Sequence, residues 1–156
     1  MITLDFQIDI LLILVFAFVF GGLLGLERVW AGKTAGMRTY ALVSLGSASF
    51  IVISQIITTD FIGLVNFDPL RVTAGVITGI GFIGAGLIFV HGQKVRGLTT
   101  AAGLWVAAAI GVATGFGLLI LAITITGLTL FTFTGLWFIE NSLAEKKRKI
   151  IKTEEL

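Results

Sequence analysis

The chain has 156 residues, of which 56% are hydrophobic and 13% charged, with mean hydropathy +1.05 and a formal net charge of +2. A soluble domain carries about a quarter charged residues, so this composition excludes a water-covered surface and indicates an integral membrane protein of one domain. There is no cysteine, which excludes disulfides, thiol catalysis and thiolate metal sites.

The first residues, MITLDFQID, carry Asp5 and Asp9 but no Lys or Arg. A secretory signal opens with a positive region, so the next apolar run is expected to be an uncleaved first span. Ile10–Leu26 is unbroken and apolar; a span takes roughly 20 residues to cross a ~30 Å hydrocarbon core. Ala17, Gly21 and Gly25 fall on one helical stripe that Arg28 continues. Gly21 and Gly25 form a GxxxG pair that admits a second backbone; the alternative is the ordinary glycine content of membrane helices. Residues 27–38 form the first loop. Thr39–Thr59 is the second span, whose Ser44, Ser47 and Ser49 can bond carbonyls one turn back.

Asp60–Pro69 is the second loop. Asp68 before Pro69 marks a helix start, with the carboxylate capping free N–H groups and proline at the first helical position; a ligand role is the alternative. Val72–Val90 is the third span. Gly75, Gly79 and Gly86 share a narrow stripe at about 100° per residue, with Gly81 and Gly84 opposite. Two small faces predict a helix sandwiched between neighbours at the bundle centre, where Gly79→Leu would disrupt packing. After the basic loop HGQKVRG, Leu98–Ile139 runs 42 residues without a charge. As one helix it would measure about 63 Å, twice the hydrocarbon thickness, so it must turn. Gly115-Phe116-Gly117 is the best break, placing the fourth span at 98–114 and the fifth at 118–139. A polar tail begins at Glu140, and the organisation expected is a transmembrane domain over 1–141 and a basic tail over 142–156.

Five spans put ten of the eleven cations on one side (Arg28, Lys33, Arg38, Lys94, Arg96 and the five of the tail), with only Arg71 on the other. The positive-inside rule makes the basic side cytoplasmic and the N-terminus external. Trp30, Tyr40 and Trp137 fall near that interface, as an aromatic belt would. The fold class is therefore all-α, a polytopic bundle of five transmembrane helices.

Two motifs mislead. Gly79-Ile80-Gly81-Phe82-Ile83-Gly84 matches GxGxxG inside a span, without the strand–turn–helix a dinucleotide site needs. Gly32-Lys33-Thr34 lacks the earlier glycine of a phosphate loop, since position 27 is Glu. His91, the only histidine, reads as an interfacial residue. No catalytic dyad, metal cluster or mid-membrane carboxylate is visible, so no enzyme, cofactor, metal site or nucleic-acid partner is expected. That pattern weighs against a carboxylate-based cation transporter and leaves backbone carbonyls or a hydrated pore open.

One constellation remains on the basic side: Glu27, Arg28, Arg38, Arg96, Thr99 and Thr100. Glu27 at the apolar boundary would cost several kcal/mol unpaired, and pairing with Arg38 or Arg96 is the expected relief. Two readings stand. One is anchoring by snorkelling arginines with Thr99 or Thr100 as a helix cap. The other is a polar vestibule that senses ions or a partner.

GGLLGLER (21–28), AGMRTYALVSLGSA (35–48), DPLRV (68–72), GIGFIGAG (79–86) and RGLTTAAGLWVAAAIG (96–111) together resemble the MgtC/SapB family of bacterial inner-membrane proteins over about residues 10–117. The resemblance implies a multi-pass inner-membrane protein tied to magnesium homeostasis and acid adaptation. It also implies a possible membrane-protein partner such as an F-type ATP synthase. It carries over Glu27, Arg28, Arg38, Asp68, Arg71, Arg96, Thr99 and Thr100 as motif positions. Departures are Val29 where a second acidic residue is frequent, Gly75 where glutamine is usual, and Thr114 where cysteine is common. The chain looks like a short form without the soluble C-terminal domain of the MgtC branch. Three functions follow as expectations: a non-enzymatic protein of ion homeostasis acting on another membrane protein, an oligomeric ion transporter or channel, and a structural subunit. The lipid bilayer is a partner in all three, and a homo-oligomer is compatible with each.

Overall fold

A computed structural model describes residues 4–60 and 68–154. Its elements in order are α1 (Leu4–Trp30), α2 (Met37–Asp60), α3 (Pro69–Leu87), a hairpin of β1 (Phe89–His91) and β2 (Lys94–Arg96), α4 (Leu98–Gly115), α5 (Leu119–Phe131), a π-helical turn over Thr132–Leu136, and α6 (Trp137–Glu154). Among the described residues, five helices are long and apolar enough to cross a membrane: Gln7–Trp30, Met37–Thr58, Leu70–Leu87, Leu98–Gly115 and Leu119–Lys146. The chain is a multi-pass membrane protein. Residues 61–67 of the second predicted loop lie outside the described residues.

The boundaries follow local chemistry. Asp68 caps α3 by accepting from the Leu70 amide at 2.9 Å, with Pro69 in the first helical turn. The third span ends three residues earlier than expected, because the chain leaves Leu87 into the hairpin. Phe89 pairs with Arg96 and His91 with Lys94, and Gly92 enters the two-residue turn at φ +63°. Gly97, at φ +89°, is the cap residue of α4, which has no side-chain cap bond; neither Thr99 nor Thr100 fills that role. The break after α4 falls where expected. Gly117 adopts φ +75°, its amide donates to Thr114 O at 2.8 Å, and the Leu118 amide donates to Ala113 O at 2.9 Å. These two bonds close the helix end on its own carbonyls.

The centre of the bundle is α4, not α3. Eleven of the eighteen α4 residues are buried, and α4 packs on α1, α2, α3 and α5. Its apolar core joins Leu104, Ala107, Ala108, Ile110 and Ala113 to Leu24, Tyr40 and Ala122. Lipid tails are as apolar as leucine, so close backbone approach has to supply what the hydrophobic effect gives in water. It does so at two seams. A Cβ on Gly21 would lie 2.6 Å from Tyr40 O, and one on Gly25 would lie 2.5 Å from Met37 Cα, so α1 rides directly on α2. A Cβ on Gly111 would meet Ser47 Cβ at 2.8 Å, and one on Gly115 would meet Ile51 Cβ at 2.8 Å, so α4 does the same.

The third span departs from expectation for a related reason. Of the described α3 side chains only Ile80 and Gly84 are buried. Val76, Ile80, Gly84 and Leu87 recur every three or four residues and form the stripe that packs toward the core, with Gly84 against Ala101 of α4. A Cβ on Gly75, Gly79, Gly81 or Gly86 would meet nothing within 4 Å. These four glycines are not packing positions within this chain, and α3 sits at the edge rather than in a sandwich.

The fifth span also differs. Helix continues past the expected end at 139 to Glu154, with the π turn between α5 and α6. Thr124, Thr126, Thr129, Thr132 and Thr134 each donate to the carbonyl four residues back at 2.7–2.8 Å. Such back-bonding competes with the helical ladder and bends it. The π turn falls at the end of this run.

Candidate functional site

The last turn of α1 places Glu27 and Arg28 at the basic end of the bundle. Gly32, at φ +65°, turns the chain back so that the Lys33 amide donates to Arg28 O at 2.9 Å. Arg28 is buried, at 3% exposure, and Glu27 is nearly so at 12%. The Arg28 Nε donates to Glu27 Oε2. On its other side the guanidinium carbon lies 3.5 Å from the centroid of the Phe133 ring. A cation over a ring face, shielded from water, is worth about 2 kcal/mol, so Arg28 is held by a carboxylate and an aromatic face together.

Phe133 comes from the π turn and is itself buried. It belongs to a cluster with Tyr40 of α2 and Gly103 of α4. A Cβ on Gly103 would overlap the Tyr40 hydroxyl and lie 2.7 Å from Phe133 Cζ. The Tyr40 hydroxyl donates to Thr100 O at 3.3 Å. Tyr40 is therefore a fully buried core residue that ties α2 to the first turn of α4, not a member of an aromatic belt. Trp30 and Trp137 are both exposed.

Above this cluster opens a cavity of about 970 Å³. The ion pair, Thr99 and Thr100 line it, Lys33 and Glu140 bring further charge, and Trp30 and Trp137 supply indoles. Four of the six residues expected in one polar ring, Glu27, Arg28, Thr99 and Thr100, therefore share this vestibule. Arg38 and Arg96 do not line it. Arg38 is exposed on α2 and lines a separate groove beside α3. Arg96 ends β2 and is exposed. Glu27 takes neither as its partner: the neighbouring Arg28 satisfies it without a contact between helices. Asp68 and Arg71 lie at the other end of the bundle, on the first turn of α3, and both are exposed.

Sequence reasoning missed Phe133, Tyr40 and Gly103. A signal for Phe133 was present: Ala122, Thr126, Thr129 and Phe133 fall four, three and four residues apart, and all four are buried. That spacing is one face of a helix, obscured because the whole segment is apolar. Among the described residues there is no group of three or more His, Cys, Asp or Glu able to hold a metal. The vestibule offers charges of both signs, hydroxyls and indoles around a buried, self-neutralised pair.

Comparison with known proteins places these features in a family. The MgtC family model matches residues 14–142. A protein of Escherichia coli K12 named putative magnesium transporter YhiD is 48% identical over 107 residues, covering 67% of this chain and 50% of that one. The protein MgtC of Brucella abortus is 48% identical over 103 residues, 66% of this chain and 41% of that one. The protein MgtC of Salmonella typhimurium LT2 is 46% identical over 101 residues, 65% and 41%. The matched stretch thus spans half or less of each of these relatives. No solved structure matches the chain. With its glycine-sealed helical core and buried Glu27–Arg28 pair, the chain belongs to the MgtC family.

Proposed function

We propose that this chain is a non-enzymatic protein of a bacterial inner membrane that supports Mg²⁺ and pH homeostasis by regulating another membrane protein. Its basic end faces the cytoplasm, as the placement of Lys and Arg favours. The magnesium link rests on family membership and on the name of the YhiD relative. The regulatory reading rests on the floor of the vestibule. Arg28 and Glu27 close it by pairing with each other, Phe133 packs beneath, and the α4 axis beyond is filled by Leu104, Ala107 and Ile110. A cavity that ends on a neutralised pair and a close-packed apolar axis is suited to receive a partner rather than to pass an ion. An F-type ATP synthase is one candidate partner, by family resemblance.

The test has two arms. Purified protein in liposomes is expected to show no Mg²⁺ or proton flux above that of protein-free vesicles. Robust flux that disappears in Glu27→Gln would overturn the proposal. Crosslinking and pull-down from native membranes at low Mg²⁺ are expected to recover a membrane protein with the wild type and much less with Thr99→Trp, which crowds the vestibule from an exposed position.

A second reading, an oligomeric transporter or channel, draws support from the α3 surface that no other helix among the described residues covers, including Phe82 at 84% exposure. Several such faces around a common axis could line a pore. The liposome arm separates the two readings.

A further inference from the structure

Between α2 and α3 runs a second cavity, a groove of about 800 Å³, lined by Leu42, Gly46, Gly75, Gly79 and Ile83, with Arg38 at one end. It exists because α2 packs its seams against α1 and α4, whereas α3 touches mainly α4. The groove walls include three glycines, Gly46, Gly75 and Gly79, where a Cβ would meet nothing within 4 Å, so the slot is open rather than closed by backbone contact. From Arg38 to Phe50, both lining residues, α2 advances about 18 Å, a little over half of a ~30 Å hydrocarbon core. The groove is thus about one leaflet deep.

Charge narrows the occupant further. Arg38 is the one ionisable residue in the lining, it is exposed, and among the described residues the only salt bridge is Arg28 to Glu27. Arg38 also lies in the first turn of α2, where the leading N–H groups have no carbonyl one turn back and carry partial positive charge. A second copy of the chain fits poorly. Two copies inserted in the same direction and related by a two-fold axis along the membrane normal would hold equivalent residues at equal depth. Each Arg38 would then lie at the same depth as its counterpart beside the shared groove, with no lining carboxylate to neutralise either.

We infer that the α2–α3 groove is a binding site for one anionic phospholipid, with acyl chain along Gly46, Gly75 and Gly79 and the phosphate at Arg38. The inference does not depend on the regulatory reading and stands or falls separately from it.

Native mass spectrometry of the protein equilibrated with equal amounts of phosphatidylglycerol and phosphatidylcholine tests it. The wild type is expected to retain phosphatidylglycerol preferentially, one molecule per chain. Arg38→Gln is expected to lower that retention about fivefold, the effect of one basic side chain at an anionic surface. Gly79→Leu is expected to abolish it by filling the slot. Neither residue is packed within the chain, so both variants are expected to keep the wild-type melting temperature, which separates lost lipid from lost fold. Equal retention of the two lipids, or undiminished retention in both variants, would overturn the inference. So would efficient crosslinking of Gly79→Cys to itself in native membranes, since the groove would then hold a second copy.

Discussion

Arg28 concentrates most of what is unusual about individual residues in this chain. A guanidinium at 3% exposure is tolerated because a carboxylate and an aromatic ring share its solvation. Removing one member of such a buried pair leaves the other uncompensated and typically costs about 3–5 kcal/mol, whereas replacing both with neutral groups of similar volume is far milder. Arg28→Ala is therefore expected to destabilise the protein by about 3 kcal/mol or more in reversible unfolding, and Glu27→Gln combined with Arg28→Met is expected to recover most of the loss. A double variant no more stable than Arg28→Ala would mean that the pair is not what holds this end together. Glu27 was recognisable in sequence as a carboxylate needing relief at an apolar boundary. Its partner was not: the expected relief was Arg38 or Arg96, whereas the pair forms with the adjacent Arg28, buried by how the chain turns back at Gly32 after α1, and that is a matter of backbone geometry.

Among the helices, the contrast between α3 and α4 decides which glycines matter. Both are rich in small residues, and the sequence pointed to α3 as the one sandwiched between neighbours. The difference lies in what their faces meet. Gly111 stands over the backbone of Ser44, whereas Gly79 looks onto open space. Gly111→Ala forces α4 away from α2 and is expected to cost about 1–3 kcal/mol or more, as overpacking does. Gly79→Ala adds helix propensity without a clash and is expected to be neutral or to stabilise by up to about 1 kcal/mol. Thermal unfolding of the two variants side by side checks this, and a Gly79→Ala variant as damaged as Gly111→Ala would restore α3 to the centre. The number of spans and the turn between the fourth and fifth were legible because apolar length and the Gly115-Phe116-Gly117 break are local properties, whereas the first, third and fifth spans begin or end elsewhere than their apolar runs do. The centre was not, because small residues permit close approach without naming the neighbour that makes it. The Gly21–Gly25 pair differs only in that α2 comes to meet it.

Across the whole molecule, the loops and charges sort the ends of the bundle. Arg28, Lys33, Arg38, Lys94 and Arg96 lie where α1 meets α2 and where the hairpin joins α3 to α4, and Arg71 lies at the start of α3. A reporter fused to the C-terminus is expected to read cytoplasmic, and one fused to the N-terminus external; the reverse pattern would invert the vestibule along with the topology. The composition pointed to the membrane, and five spans gathered ten of the eleven cations on one side. The vestibule needed α1, α4 and the π turn brought together, a long-range relation that no single stretch of sequence states. The marginal seat of α3 also bears on how the molecule comes apart. Its contacts with the remaining helices rest mainly on Val76, Ile80, Gly84 and Leu87, while α1, α2 and α4 share interlocked backbones. Local stability varies with such contact density, so the amides of α3 are expected to exchange hydrogen before those of the α1–α2–α4 triad, which native-state hydrogen exchange checks.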